Sequence, residues 1–254
     1  MRAVLNDETL EDMGWRLLAT TPFILLPEPR EQLVTVPFRH GAYDFTRVMD
    51  SRLLTLHLLC VTRSPYEWKS RVARLNQAFC SDTGAPKTAT FCWDEWDDRE
   101  LQVRLCGAMS ASYEGGGYRL QVPLKAVQPF YEAREWSSEE LGKGYAFTLQ
   151  GEEVITVSNR GDLTLAPITH FTGQIRSIRL SLNQQEWVID LPFIVEQIII
   201  DHEQMTVTDG NGHNLFAYCR GQFLKLAPGE NHLTVTGGDS ELHLYVKMKA
   251  RYWF

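Results

Sequence analysis

The stretch that decides the fold is VTVPFRHGAYDFTRVMDSRLLTLHLLCV, residues 34–61. A β-branched run leads into a basic, glycine-containing turn at Arg39, His40 and Gly41, and a leucine-rich run follows from Arg52 to Val61. This pattern predicts two strands joined around a compact corner. A run as apolar as Arg52–Val61 is typical of a strand buried on both faces, so we expect another element to cover it.

The composition sets the class of protein. The 254 residues are 44% hydrophobic, which is enough for one large β domain or two smaller ones. The formal net charge of −7 argues against a nucleic-acid-binding surface, which would need a basic stripe. The longest apolar runs reach about ten residues, whereas a membrane-spanning helix needs about 20, so no membrane contact is expected. Acidic residues near the N-terminus also argue against a signal peptide.

The cysteines are odd in number and form no CxxC pair; they are Cys60, Cys80, Cys92, Cys106 and Cys219. Most lie in apolar surroundings. We therefore expect reduced cysteines in the core and no disulfide.

A helix is predicted directly after the leucine-rich run. Ser64 and Glu67 have the spacing of a capping box, and Pro65 fits the first helical position. The apolar residues that follow at helical spacing are Trp68, Val72, Leu75 and Phe79. They share one face of the helix, and that face is expected to cover the leucine-rich strand.

Two further local patterns predict strands. The glycine triplet 115–117 separates two alternating runs, which is typical of a tight hairpin. The segment TTPFILLPEPRE, residues 20–31, is interpreted as a short apolar edge strand that ends at proline.

A change of composition predicts the domain organisation. Residues 128–144, QPFYEAREWSSEELGKG, are polar and interrupt the rhythm of strands, as domain boundaries do. The prediction is therefore a mainly β protein. Residues 1–133 form a β-rich α+β domain with one packed helix, and residues 134–254, with short strands and regular turns, form a β-sandwich.

No catalytic, cofactor or metal site is predicted. The seven histidines lie one at a time, without the spacing that would place two metal ligands on one face. There is no nucleophile elbow and no phosphate-binding glycine loop. The cluster 201–203 is interpreted as a polar turn after a buried strand, and residues 209–212 as a hairpin turn and not a calcium loop.

Carbohydrate binding is the alternative that the residues leave open. A β-sandwich with exposed aromatic side chains is a common lectin scaffold. Trp136, Trp187 and the terminal Tyr252, Trp253 and Phe254 are candidate stacking platforms. Aromatic residues in short strands more often lie in a core, so an exposed aromatic cluster would be needed to support this reading.

Taken in order, several segments resemble a known family. In the first half these are VPFRHGAYD followed by RLLTLHLLCV, and then LQVPLKAVQPFYEAR. In the second half they are VSNRGDLTLAPITHFTG, EWVIDL with EQIIID, and FLKLAPGENHLTV. The chain resembles the distal tail protein family of long-tailed siphophages, with one departure at Phe38, where many members have glycine.

The resemblance implies an architecture and not a reaction. It implies an N-terminal ring-forming domain and a C-terminal galectin-like sandwich without an inserted sugar-binding module. The expected partners are five identical copies in a hexameric ring, the tail tube protein, the tail-associated hub protein and receptor-binding or adhesion proteins. DNA would pass through the lumen without specific binding, which the net acidity would favour. The expected location is the virion tail tip, after assembly in the host cytoplasm.

The resemblance and the opening stretch together suggest where copies meet. The corner of Arg39, His40 and Gly41 is the polar interruption of an otherwise apolar region. We therefore predict that these three residues belong to the oligomer interface. A carbohydrate-binding module that recognises host glycans remains the alternative function.

Overall fold

A computed structural model describes residues 2–38, 40–96, 98–134, 145–149, 151–237 and 242–254. Within these ranges the protein is mainly β, with one α-helix, as the sequence predicts. The chain divides into two compact units. The first contains residues 1–131 and 253–254, and the second contains residues 132–252. No helix in the described ranges has the length and hydrophobicity that crossing a bilayer requires.

The elements of the first 133 residues are β1 (Ala3–Leu5), β2 (Glu8–Thr9), β3 (Arg16–Leu17), β4 (Pro29–Thr35), β5 (Ala42–Met49), β6 (Arg52–Cys60), α1 (Pro65–Phe79), β7 (Ala89–Trp93), β8 (Arg99–Leu105), β9 (Ser110–Glu114), β10 (Gly117–Ala126) and β11 (Tyr131–Ala133). Those that follow are β12 (Tyr145–Leu149), β13 (Glu152–Asn159), β14 (Ile168–Leu182), β15 (Gln185–Asp201), β16 (Thr206–Asp209), β17 (Cys219–Gly221), β18 (Gly229–Gly237), β19 (Leu242–Lys247) and β20 (Arg251–Tyr252). Short 3-10 turns lie at Asp94–Trp96 and Phe216–Tyr218.

The first unit is built on an antiparallel sheet in the order β2-β1-β7-β8-β10-β6-β3. β9 pairs with β10 through the hairpin turn at Gly115 and Gly116, both of which have positive φ, so the glycine prediction is confirmed. The prediction that β6 is buried on both faces is wrong. Its side chains alternate between buried and partly exposed, and Leu53 is 55% exposed. An apolar run therefore overstated the burial of the strand.

Helix α1 begins where the sequence predicts. The Ser64 hydroxyl accepts a hydrogen bond from the Glu67 amide, which satisfies one of the amides at the helix start. The Glu67 carboxylate does not close the capping box on Ser64. It accepts a 2.5 Å hydrogen bond from the Thr62 hydroxyl, and Thr62 in turn accepts one from the Ser64 amide.

The apolar stripe of α1 packs on aromatic residues as well as on the strand. The ring of Trp68 stacks on Tyr118 of β10 at 4.0 Å and meets the buried Trp15 edge-on at 5.6 Å. At the end of β6, Arg71 lies 3.2 Å from the sulfur of Cys60. The helix therefore contacts both β6 and β10.

The cysteines have no disulfide partner, and only part of the set lies in the core. Cys60 and Cys92 are buried, and Cys80 and Cys219 are half-buried. Cys106 is exposed, so the prediction of a core position is wrong there. Cys106 follows the end of β8, where the chain leaves the sheet.

The second unit is organised around the long hairpin of β14 and β15. β14 pairs with β19 through its first half and with β18 through its second half. The change of partner coincides with register shifts between Thr172 and Ser177, where the strand irregularity bends the sheet. The buried side chains of all these strands form one hydrophobic core.

Two buried asparagines explain why the second half has recognisable turn sequences. Asn159 donates to the carbonyl of Leu163 and accepts from the amide of Gly161. Asn231 accepts from the amide of Ala227 and donates to its carbonyl, so it closes the Pro-Gly turn before β18. Buried amide side chains need such partners, and each asparagine therefore specifies one turn.

The compact units divide after Tyr131, and the boundary predicted from the sequence lies between residues 133 and 134. The last two residues, assigned by sequence to the second domain, belong to the first unit. Within that unit Arg99 donates to the carbonyl of Phe254. Most of the polar segment that suggested the boundary, residues 135–144, lies outside the described residues.

His202 is a buried polar group in the core of the second unit. It is 2% exposed, and its Nδ1 accepts a 3.1 Å hydrogen bond from the Leu224 amide. Nε2 therefore carries the proton and donates to the Thr169 hydroxyl at 3.2 Å. Burial lowers the pKa of His202 to about 3, so the ring is neutral in the folded protein.

This histidine makes the second unit sensitive to acid. The unfolded chain takes up a proton at His202 near its ordinary pKa of about 6.5, while the folded unit does not, so its stability is full above that pH. Below it, the free energy of unfolding should fall by about 1.4 kcal/mol per pH unit towards the folded pKa. Urea unfolding between pH 7.5 and 4.5 measures this slope. His202→Gln should flatten it, and the control His232→Gln, at an exposed position of the same unit, should not.

Candidate functional site

The most unusual feature of the first unit is a two-stranded arm, β4 paired with β5. In the described residues neither strand joins another sheet. Every residue of β4 is exposed. Since a lone two-stranded hairpin is marginally stable in water, the arm is expected to be covered by another surface when the protein works.

From Leu33 to Phe38 the exposed side chains of the arm are largely apolar, whereas residues 30–32 at its start are polar. Leu33 and Val34 are 56% and 50% exposed, and Val48 on the facing strand is 48% exposed. Val36 and Tyr43 belong to the same apolar set. A patch of exposed apolar side chains usually marks a surface that binds another molecule.

Phe38 at the tip of the arm is both strained and fully exposed. Its φ of +65° lies in the left-handed region, which costs a residue with a Cβ about 1–2 kcal/mol relative to glycine. Neither burial nor local packing accounts for a phenylalanine in that conformation. Such an outlier indicates a role for the ring outside the isolated chain.

Arg52, the first residue of β6, holds the base of the arm. Its side chain carries a positive charge. It is fully buried. Its guanidinium donates to the carbonyls of Ile24 at 2.6 Å, Pro129 at 2.8 Å and Trp253 at 2.5 Å. These carbonyls come from three separate segments of the first unit. One side chain therefore fixes the chain both before β4 and after β5.

The surroundings of Arg52 suit a buried cation. Its guanidinium carbon lies 5.0 Å from the centre of the Tyr131 ring, within range of a cation–π interaction. Burial lowers the pKa of Arg52, but an arginine stays charged at such a site. Burial raises the pKa of Tyr131, whose hydroxyl accepts a hydrogen bond from Trp93.

Arg52 also explains a failed prediction. Residues 20–28 form no strand, although TTPFILLPEPRE was interpreted as one. The carbonyls of Ile24 and Leu25 point to the Arg52 guanidinium instead of a neighbouring strand. A charged partner 28 positions away has replaced sheet pairing.

Two of the three sequence-predicted interface residues, His40 and Gly41, belong to the turn of this arm. His40 is exposed, and Gly41 has a φ of +84° directly before β5. Arg39 lies outside the described residues. The sequence pointed to the tip but missed Arg52 at the root, where a charge at the head of an apolar run was the available signal.

One candidate sugar platform, Trp187, is excluded by its burial. Trp187 is 1% exposed and packs beside His202, so its interpretation as a stacking surface is wrong. Trp136 lies outside the described residues. An exposed aromatic pair among the described residues of the second unit is Phe193 and Tyr218, whose rings meet edge-on at 5.7 Å.

The polar clusters of the second unit serve its turns. The Asp201 carboxylate accepts hydrogen bonds from the amides of Glu203 and Gln204, so residues 201–203 form the turn that the sequence predicts. Asp209 accepts from the amides of Asn211 and His213 in the next turn. No group of three potential metal ligands occurs within the described ranges.

The two β-rich units, the helix and the arm share their fold with a solved phage protein. The solved structure that carries this likeness is the SPP1 Dit (gp 19.1) protein, described as a paradigm of the hub adsorption apparatus in phages that infect Gram-positive bacteria. The two chains are 11% identical, the TM-score is 0.72, and the match covers 98% of each. At this identity the likeness shows the fold alone.

Other comparisons add little. A chain of the phage P2 baseplate in its activated conformation with Ca is 10% identical over 98% of both chains, with a TM-score of 0.46. That score is too low to support an inference. No protein-family model matches the sequence, and no curated protein matches it significantly.

Replacing Arg52 should destabilise the first unit strongly. Arg52→Met leaves three carbonyls without their donor, and we expect a loss of about 3 kcal/mol in the free energy of unfolding. Arg52→Lys should recover only part of this, because an ammonium lacks the planar fork. Denaturant unfolding is the measurement. Arg119→Met, an exposed arginine of β10, is the control, and an equal loss in both variants would contradict the anchoring role.

Proposed function

We propose that this protein is a structural, non-catalytic component of a phage tail tip, built from identical copies that form a closed ring. The observation that carries the proposal is an exposed apolar arm, strained at Phe38, on a distal-tail-protein fold. An exposed apolar arm of this kind is expected to pack against another protein surface. A neighbouring copy is a partner that is always present at the right stoichiometry.

The finer features follow from the sequence resemblance. The ring would contain six copies and lie between the tail tube and the tail-associated hub. Arg39, His40 and Gly41 would contribute to contacts between copies, as part of the arm. The second unit, proposed to be a galectin-like sandwich, would offer docking points to receptor-binding or adhesion proteins. DNA would pass through the lumen, where a net charge of −7 per chain would disfavour binding.

A carbohydrate-binding module is the second candidate function. Phe193 lines an open cleft of about 590 Å³ together with Gln197 and Asn211, so an apolar wall faces amide groups. Sugars bind such combinations of stacking and hydrogen bonding. A monomer that binds oligosaccharides on a glycan array, and loses binding on Phe193→Ala, would favour this function over the ring.

The ring proposal is tested through Phe38 and molecular mass. Light scattering of the purified protein should give a hexamer of 29.1 kDa chains, about 175 kDa. Phe38→Gly should raise the concentration at which the oligomer dissociates at least tenfold. It should also stabilise the single chain by about 1 kcal/mol, because glycine adopts the left-handed conformation without strain.

Phe38→Ala is the matched control. It removes the ring but keeps the Cβ, so it should weaken the oligomer without stabilising the chain. A monomeric unaltered protein would refute the proposal. An oligomer that neither Phe38 variant weakens would exclude the tip of the arm from the contact.

A further inference from the structure

The turn that follows β16 contains a chemically labile pair, Asn211 and Gly212. Asn211 is the only asparagine of the sequence that a glycine follows. Both residues of the pair are exposed. The backbone nitrogen of the residue after an asparagine lies close to the asparagine side-chain amide, so the two groups can react with each other within one chain.

The side-chain amide of Asn211 is free to reach that nitrogen. It makes no hydrogen bond with the described part of the chain, although the backbone amide of Asn211 donates to the Asp209 carboxylate at 2.9 Å. Most of the other asparagines are held by side-chain hydrogen bonds, namely Asn6, Asn159, Asn214 and Asn231. An amide that is already hydrogen-bonded must lose that bond before it can react.

Gly212 leaves room for the reaction. Its φ is +84°, and a Cβ at this position would meet no atom within 4 Å beyond its two chain neighbours. Glycine changes its backbone angles at little cost, so its nitrogen can turn towards the Asn211 side chain. The Gly212 amide donates to the Asp209 carbonyl at 3.1 Å, and this bond must open first. A single hydrogen bond in an exposed turn opens readily.

We propose that Asn211 is a site of spontaneous deamidation in the folded protein. The Gly212 nitrogen attacks Cγ of the Asn211 side chain, and the bond from Cγ to Nδ2 breaks. Nδ2 leaves as ammonia, with the proton that the Gly212 nitrogen loses. The chain then contains a five-membered succinimide ring. Water opens this ring at one of its two carbonyls and leaves an aspartate or an isoaspartate, each with one new carboxylate.

The new carboxylate changes the cleft beside Phe193. Asn211 lines this cleft together with Gln197, and the acidic side chains of Glu196 and Asp209 line it too. Deamidation therefore makes the cleft more acidic as the protein ages, which disfavours an anionic partner there. An isoaspartate also lengthens the main chain of the turn by one atom, because the chain then runs through the former side chain.

Peptide mapping by mass spectrometry tests the proposal. The purified protein is kept at neutral pH for several weeks, and the altered fraction of each asparagine is followed. Asn211 should react at least about tenfold faster than Asn183 and Asn214, because glycine lowers the barrier only at Asn211. Both controls are exposed, and neither precedes a glycine. A rate at Asn211 that does not exceed the rates of the controls would overturn the proposal.

Gly212→Ala tests the contribution of the glycine. The added Cβ has open space around it, so the variant should keep its fold. Asn211 should then react at least about tenfold more slowly, while the rates at Asn183 and Asn214 should not change. An unchanged rate at Asn211 would mean that the glycine does not promote the reaction, and the proposal would be wrong.

Anion-exchange chromatography provides an independent measurement. The altered protein carries one more negative charge, so it should elute after the fresh protein, at the position of the variant Asn211→Asp. Asn211→Gln keeps an amide but makes the side chain one methylene longer, which hinders formation of the five-membered ring. Aged Asn211→Gln should therefore give no late species. A late species of equal size in Asn211→Gln would place the modification elsewhere and contradict the proposal.

Discussion

Arg52 places a positive charge where no solvent reaches it, and the cost of that burial is offset only if its N–H groups all find acceptors. Each of its three nitrogens donates to a carbonyl, and these carbonyls belong to three segments, at Ile24, Pro129 and Trp253. An apolar side chain could pack against these segments in many arrangements. The N–H groups of a guanidinium point in fixed directions, so these hydrogen bonds form in only one geometry of the base of the arm.

The rigidity of the base matters because the arm itself has little to hold it. Among the described residues β4 pairs with no strand of a larger sheet, and its side chains are exposed. An element of this kind keeps a defined direction only through its ends. Arg52 fixes both ends, since it binds the chain before β4 and itself follows β5. The same residue thus links the buried core to the surface proposed to meet another copy.

The parts of the fold that sequence could predict are those set by short-range chemistry. Ser64 and Pro65 start a helix and a glycine pair turns a hairpin wherever they occur, because capping and positive φ are local requirements. Arg52 could not be interpreted in this way, since its partners lie up to 201 positions along the chain. Residues 20–28 of the expected strand at 20–31 form no strand for the same reason.

The candidate site divides along similar lines. A polar turn at Arg39, His40 and Gly41 is visible in the sequence, but the isolation of the arm is not, because a β-branched run has the same pattern in a sheet and outside one. The alternating burial of β6 was also hidden, since leucine occupies both its inner and its outer face. Whether an exposed leucine lies at the edge of a sheet can be decided only when the neighbouring strands are known.

The hydrogen bond from Arg52 to Trp253 has a consequence for the order of events during synthesis. Its acceptor emerges from the ribosome after the entire second unit has been translated, so a long loop must close before the first unit is complete. The second unit, whose residues are consecutive, can fold without waiting. A nascent chain therefore lacks a finished arm base until the whole second unit has been translated.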